Sequence, residues 1–224
     1  MTEPESFRLI VTIDGPAASG KSSVARLVAG RLSVPYVSSG LVYRAVAVAA
    51  RSYQVDPNDA AGLSAMLDAH SVALMLARDG NRVSVDGIDV TEVAETSRVD
   101  ATVSLVAAHS PVRAWVNKTL RALPGSFVAE GRDMGASVFP SAQVKIFLTA
   151  PAGVRARRRV KDRTGDLPAI QANIEGRDAT DALNSVPSPD AILLDTTPLS
   201  LDGVVKVVLA HVSRAKERLM GAAS

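Results

Sequence analysis

The stretch Gly15-Pro16-Ala17-Ala18-Ser19-Gly20-Lys21-Ser22 decides how this chain is read. Before it stands Arg8-Leu9-Ile10-Val11-Thr12-Ile13, rich in β-branched residues, which predicts a buried strand. After it, Ser23-Val24-Ala25-Arg26-Leu27-Val28-Ala29 has the apolar spacing of a helix. Strand, glycine-rich loop, lysine, hydroxyl and helix together form the context of a phosphate-binding P-loop. In such a loop the backbone N–H groups converge on phosphate oxygens, and the helix N-terminus adds positive potential. Gly15, Ala17, Ala18, Ser19, Gly20, Lys21, Ser22 and Ser23 are therefore the candidate contacts to a nucleotide's phosphates. Lys21 is expected to reach the β- and γ-phosphates, and the Ser22 hydroxyl to ligate Mg²⁺.

Working outward, Val34-Pro35-Tyr36-Val37 predicts a second strand, closed by Ser38-Ser39-Gly40 and a helix over 41–50 that either serine could cap. From about 52 to 102 the α/β rhythm breaks. A helix over 59–69 is followed by short strands at 72–76, 82–85 and 88–90, with turns at Asp79-Gly80-Asn81 and Asp86-Gly87. This predicts a small antiparallel insert. Residues 103–123 read as helix, with Pro111 starting a new segment. Phe127-Val128-Ala129-Glu130-Gly131-Arg132-Asp133 is a short strand ending in acids and an arginine. In P-loop proteins a second strand ending in a carboxylate supports Mg²⁺ or its water shell, a role that falls to Glu130, with Asp133 as the alternative. A strand over 143–148 precedes Pro151 and an arginine-rich helix carrying Arg155, Arg157, Arg158, Arg159, Lys161 and Arg163. On charge alone that run reads as a solvated helix face. The segment 164–168 interrupts it, helix resumes to about Arg177, and the chain ends in a strand at 191–195 and a helix at 201–220. The alternation predicts a single α/β domain, a three-layer P-loop fold with a mostly parallel sheet of about five strands and the site at the strands' carboxyl ends.

Composition narrows the function classes. The 224 residues carry 47% hydrophobic side chains, a net charge of +2 and no cysteine, which excludes a disulfide framework and thiolate metal or redox chemistry. Near-balanced charge argues against a general nucleic-acid binder. The polar start argues against a secretory signal, and no apolar run approaches the ~20 residues of a spanning helix. A cytoplasmic monomer with no membrane or nucleic-acid partner is expected.

Beyond the P-loop, the chain resembles the bacterial cytidylate kinases, a family of P-loop nucleoside monophosphate kinases. The marks are Ile13 to Ser22, then Ser39-Gly40-Leu41-Val42-Tyr43-Arg44, Glu130-Gly131-Arg132-Asp133-Met134-Gly135, Val138-Phe139-Pro140 and Lys145-Ile146-Phe147-Leu148. The resemblance implies transfer of the ATP γ-phosphoryl group to CMP or dCMP, with Mg²⁺. It implies Lys21, Arg132 and Arg177 as catalytic residues. It places Ser39, Arg44, Ser104, Arg113, Arg132, Asp133, Arg177 and Asp181 at CMP. It further implies an insert (about 52–102) that closes over the monophosphate, and a lid (about 155–168) over ATP, with Arg158 and Arg159 at the polyphosphate. The chain departs from the family pattern at Ser38, where an acid is frequent, at Glu130, where Asp is common, and at Asn184, where an arginine is usual; Arg163 is the candidate replacement cation. The rival readings are a P-loop kinase for another small molecule, a regulatory nucleotide switch and a nucleic-acid module. The only Asn-Lys pair, Asn117-Lys118, is followed by Thr-Leu and so lacks the guanine-reading Asn-Lys-x-Asp pattern.

Overall fold

The computed structural model describes residues 8–77, 80–162 and 166–221. In chain order the elements are β1 (Ile10–Asp14), α1 (Lys21–Leu32), β2 (Tyr36–Ser38), α2 (Ser39–Ser52), α3 (Ala60–Ala69), β3 (Val72–Ala77), β4 (Gly80–Val85) and β5 (Ile88–Asp89). They continue with α4 (Thr91–Ala94), α5 (Ser97–Ala108), α6 (Ser110–Arg121), β6 (Phe127–Gly131), β7 (Val144–Thr149), α7 (Ala152–Asp162), α8 (Leu167–Asp181), β8 (Ile192–Asp195) and α9 (Leu201–Gly221). A mostly parallel five-stranded sheet has the order β2-β6-β1-β7-β8, and a three-stranded sheet the order β3-β4-β5. The chain divides into two compact units: one takes residues up to Val34 and from Gly125 onward, the other Pro35–Pro124.

In the first unit β1 lies between β6 and β7, parallel to both. All five residues of β1 are buried, as expected of a central parallel strand covered on both faces. The register sets Ile13 beside Glu130 and Asp14 beside Gly131, so the P-loop and the Glu130–Asp133 segment leave the sheet at the same end. Helix α1 buries Val24, Ala25, Val28 and Ala29, and α9 packs against both α1 and β7. Val11, Ile13, Phe127, Val128, Ile146, Leu148 and Val208 fill the core. Aromatics are scarce, and Val and Ala are the commonest of the buried apolar residues.

The second unit carries the antiparallel β3-β4-β5 sheet, its last turn made by Asp86 and Gly87 with φ of 49° and 81°. Gly80 belongs to β4 rather than to a turn, and Asp79 lies outside the described residues. Asp59 caps α3 by accepting the N–H groups of Ala61 and Gly62 at 3.0 Å. Ser38 is the N-cap residue of α2, without a side-chain capping bond. The expected helix over 103–123 is two helices meeting at His109, and Pro111 sits in the first turn of α6, where its missing N–H is harmless.

Two features of the first unit differ from the sequence reading. Met134–Val138 forms a π-helical turn, for which no periodic pattern had given notice. Pro168 opens α8 rather than ending a segment, behind an Asp166 cap that accepts the Ala169 N–H at 3.4 Å.

Candidate active site

The P-loop turns sharply between β1 and α1. Gly15 is buried at φ 150°, and a Cβ there would come within 2.6 Å of the carbonyl oxygen of Leu148. The close approach of β7 thus demands glycine. Gly20, at φ 87°, occupies the cap position of α1 with no side-chain cap, leaving the first amides of that helix facing outward. Here lies a cavity of about 280 Å³, lined by Ala17, Ala18, Gly20, Lys21, Ser22, Ser23, Arg132, Arg159 and Arg177. Four cations and no carboxylate line it. Such a wall suits a polyanion.

Lys21 shows the strain of that arrangement. Burial, then Arg132, draws its pKa down to about 8; Glu130 and Asp14 pull it back, and Arg177 adds to the depression. Its Nζ donates to the carbonyl of Pro16 at 3.3 Å. Arg132 is fixed by two bonds, from Nη1 to the carbonyl of Gly15 at 2.8 Å and from Nη2 to Asp181 at 2.8 Å. Asp181 therefore reaches the site through an arginine. Asp14 holds the π-helical turn: its carboxylate accepts the N–H groups of Met134 and Gly135, each at 2.8 Å. Burial lifts its pKa to about 6 despite those bonds, and Asp133 and Glu130 push it the same way. Glu130 and Asp133 are both buried.

The family can be decided on the sequence that builds this cavity. A family model described as "Cytidylate kinase" matches residues 11–214. The chain belongs to the cytidylate kinase family. Its similarity to other members covers most of the chain: it is 52% identical to "Cytidylate kinase" of Thermus thermophilus over 208 residues, 93% of this chain and 100% of that one. A "Cytidylate kinase" of Deinococcus radiodurans is 49% identical over 206 residues, 92% of this chain and 100% of the other. A crystal structure of a gluconokinase from Sinorhizobium meliloti superposes with a TM-score of 0.55 at 16% identity, covering 97% of this chain and 99% of that one. That likeness concerns the fold, an α/β P-loop kinase fold.

For this cytidylate kinase family member, the cavity gathers most of the ATP candidates and all three residues expected to catalyse, Lys21, Arg132 and Arg177. Gly15 and Ser19 stand behind the wall, with Ser19 Oγ buried and without a hydrogen-bond partner among the described residues. Arg158 departs from expectation. Its guanidinium donates to the hydroxyl of Thr196 at 2.9 Å and to its carbonyl at 2.6 Å, and Arg159 alone of the pair reaches the cavity. Adjacent helical residues point ~100° apart, so one of two neighbours faces the site. Arg163 and Gly165 of the expected lid lie outside the described residues. In the second unit, Ser39 is the buried first residue of α2, and Arg44, a turn further on, pairs with Asp100 and donates to the carbonyl of Ala94 at 2.8 Å. Ser104 is exposed on α5 and Arg113 half-buried on α6, two helices that pack on each other and on α2.

Three residues escaped the sequence reading: Asp14, Arg155 and Asp178. Asp14 precedes the P-loop glycine and was the one charged residue of an otherwise uncharged strand, a signal that was present. Arg155 was hidden in a run of like residues.

Proposed function

We propose that this protein transfers the γ-phosphoryl group of ATP to the 5′-phosphate of CMP or dCMP. The observation that carries the reading is the cavity whose wall joins P-loop amides to Lys21, Arg132, Arg159 and Arg177, in a chain of the cytidylate kinase family. A phosphate oxygen of CMP attacks the γ-phosphorus; a new P–O bond forms, the bond to the β–γ bridging oxygen breaks, and ADP leaves with that electron pair. The nucleophile is already anionic, so no strong base is required. Positioning and charge neutralisation carry the catalysis. Lys21 and the arginines face the transferring group, Ser39 and Arg44 hold the CMP phosphate, and Ser104, Arg113 and Asp133 read the base.

The residues present fit Mg²⁺. Among the described residues no group of three or more His, Asp or Glu forms a metal cage, which suits an ion held chiefly by substrate phosphates and water. Ser22 offers a hydroxyl in the cavity wall, and Glu130 a buried carboxylate at the end of β6. When bound, the ion neutralises β- and γ-phosphate oxygens. No helix among the described residues is long and apolar enough to cross a membrane; our reading takes the protein as a cytoplasmic monomer.

A coupled assay of ADP release against a panel of nucleoside monophosphates tests the reading. Turnover with CMP and dCMP, well above that with UMP, AMP or GMP, is the expected result. Turnover with another acceptor and none with CMP or dCMP overturns it.

A further inference from the structure

We infer that Arg155 and Asp178 are positioning residues that aim a P-loop amide, the Ala18 N–H, at the bound phosphates. The inference rests on the reading of the cavity as the ATP phosphate site.

Arg155 belongs to the arginine-rich helix α7, yet only 5% of it is exposed. Its donors go to three separate elements. Nε donates to the carbonyl of Ala150 at 2.8 Å, Nη1 to the carbonyl of Ala17 at 2.7 Å, and Nη2 to the carboxylate of Asp178 in α8 at 2.6 Å. The other oxygen of Asp178 accepts the Ala17 N–H at 3.3 Å. One ion pair thus grips a single P-loop residue by both its N–H and its C=O.

The consequence follows from peptide geometry. In a planar trans peptide a carbonyl and the N–H of the next residue point in opposite directions. With the Ala17 carbonyl turned to Arg155, the Ala18 N–H points away from Arg155, and Ala18 lines the cavity. Ala18 holds φ at 56°, a left-handed conformation that alanine adopts only at a cost and that surrounding bonds must maintain. Arg132 offers an internal comparison. It donates to the Gly15 carbonyl and pairs with Asp181, three residues from Asp178 on α8. The residue after Gly15 is Pro16, which has no N–H, so that clamp orients the loop without aiming a donor. Of the two, only the Arg155 clamp sets an anion-binding amide. A lysine cannot replace it, because one ammonium on a flexible stem lacks the planar fork that meets three acceptors at once.

Calorimetric titration with a non-hydrolysable ATP analogue, and separately with CMP, tests this in wild type, Arg155→Met, Arg155→Lys, Asp178→Asn and the double variant Arg155→Met/Ala18→Gly. The analogue Kd is expected to rise about tenfold or more in each single variant, in line with loss of a charge-assisted bond. The CMP Kd should stay within about twofold of wild type, the same scale on which a full tenfold is one lost bond. Glycine at position 18 adopts positive φ freely, so it should recover part of the lost affinity. An unchanged analogue Kd in the single variants overturns the assignment. So does equal weakening of both ligands with no recovery on Ala18→Gly, which is the mark of a purely structural role. If Arg155→Met does not fold, Asp178→Asn carries the same readout. A wild type that binds no analogue overturns the ATP reading itself, a result distinct from wild-type binding with unaffected variants.

Discussion

Lys21 is the residue on which the phosphoryl-transfer reading depends most directly. It sits in a cavity wall with Arg132, Arg159 and Arg177, and burial together with Arg132 has already pulled its pKa to about 8. An anionic phosphate entering that wall offsets the repulsion between cations and draws the Lys21 pKa back up. Lys21→Met is therefore expected to fold, with a melting temperature no lower than wild type, and to lose ~10²–10³ in turnover, the usual consequence of deleting one contact to the transferring group. ADP release and a thermal melt check both halves; a folded variant with normal turnover would falsify the P-loop assignment. At this scale the sequence made some residues plain and others not. Lys21 and Ser22 stand at fixed offsets in a motif, and Arg132 and Arg177 in recognisable segments. Arg155 stands among five other cations in nine residues, and nothing in the order of charges tells which is buried. Its role comes from contacts with residues 138 and 23 positions away, Ala17 and Asp178. Arg158 and Arg159 illustrate the same limit, since only the phase of α7 decides which faces the cavity.

The π-helical turn at Met134–Val138 is the element that couples the sheet to the site. Asp14 at the end of β1 accepts its first two amides, which fixes where Arg132 and Asp133 leave β6. Gly135 has no room for a side chain: a Cβ would lie 2.8 Å from Thr12 Oγ1 and 3.3 Å from the Lys145 stem. Thr12 and Lys145 are both buried, so either the turn or these packed side chains must shift if a methyl group is added. Gly135→Ala is expected to destabilise by roughly 1–3 kcal/mol, the usual range for overpacking. Because Arg132 and Asp133 lead directly into the turn, kcat/KM for CMP should fall as well. Thermal melts and steady-state kinetics measure the two effects; an unchanged melting temperature would show that the turn is not the rigid coupling described. The regular elements were legible because each has a period: β1 as a buried run, α1 and α9 as apolar helical stripes, the insert strands as short runs between turns. The π-helical turn has no period of its own. Its shape comes from Asp14, a carboxylate 120 positions before Met134.

At the scale of the whole molecule, the proposed function asks two tasks of the chain, phosphoryl transfer and the choice of acceptor. Lys21, Arg132, Arg159 and Arg177 belong to the unit built on the parallel sheet, whereas Ser104 and Arg113, on α5 and α6, belong to the unit spanning Pro35–Pro124. Damage to the cavity cations should reduce turnover with every acceptor. Damage to a base reader should change the choice of acceptor. Cytosine presents an amino donor at position 4 with acceptors at N3 and O2, while uracil presents an acceptor at position 4 and a donor at N3. An ionised aspartate only accepts and an arginine only donates. In the proposed reading Asp133 and Ser104 meet the amino group and Arg113 the acceptors, so that cytosine would pair throughout, whereas uracil would set a carboxylate against a carbonyl and a guanidinium against an N–H. A site with buried polar groups left unpaired in this way rejects the wrong ligand by ~10⁴. Arg113→Met should therefore lower kcat/KM for CMP steeply and compress the CMP-to-UMP ratio, while the Kd of an ATP analogue stays at its wild-type value. Lys21→Met should do the reverse, depressing turnover with both acceptors and leaving their ratio in place. Measuring kcat/KM for CMP and UMP on the three proteins separates the tasks: if Arg113→Met keeps the wild-type ratio, or wild type uses both acceptors equally, the base is read by other residues.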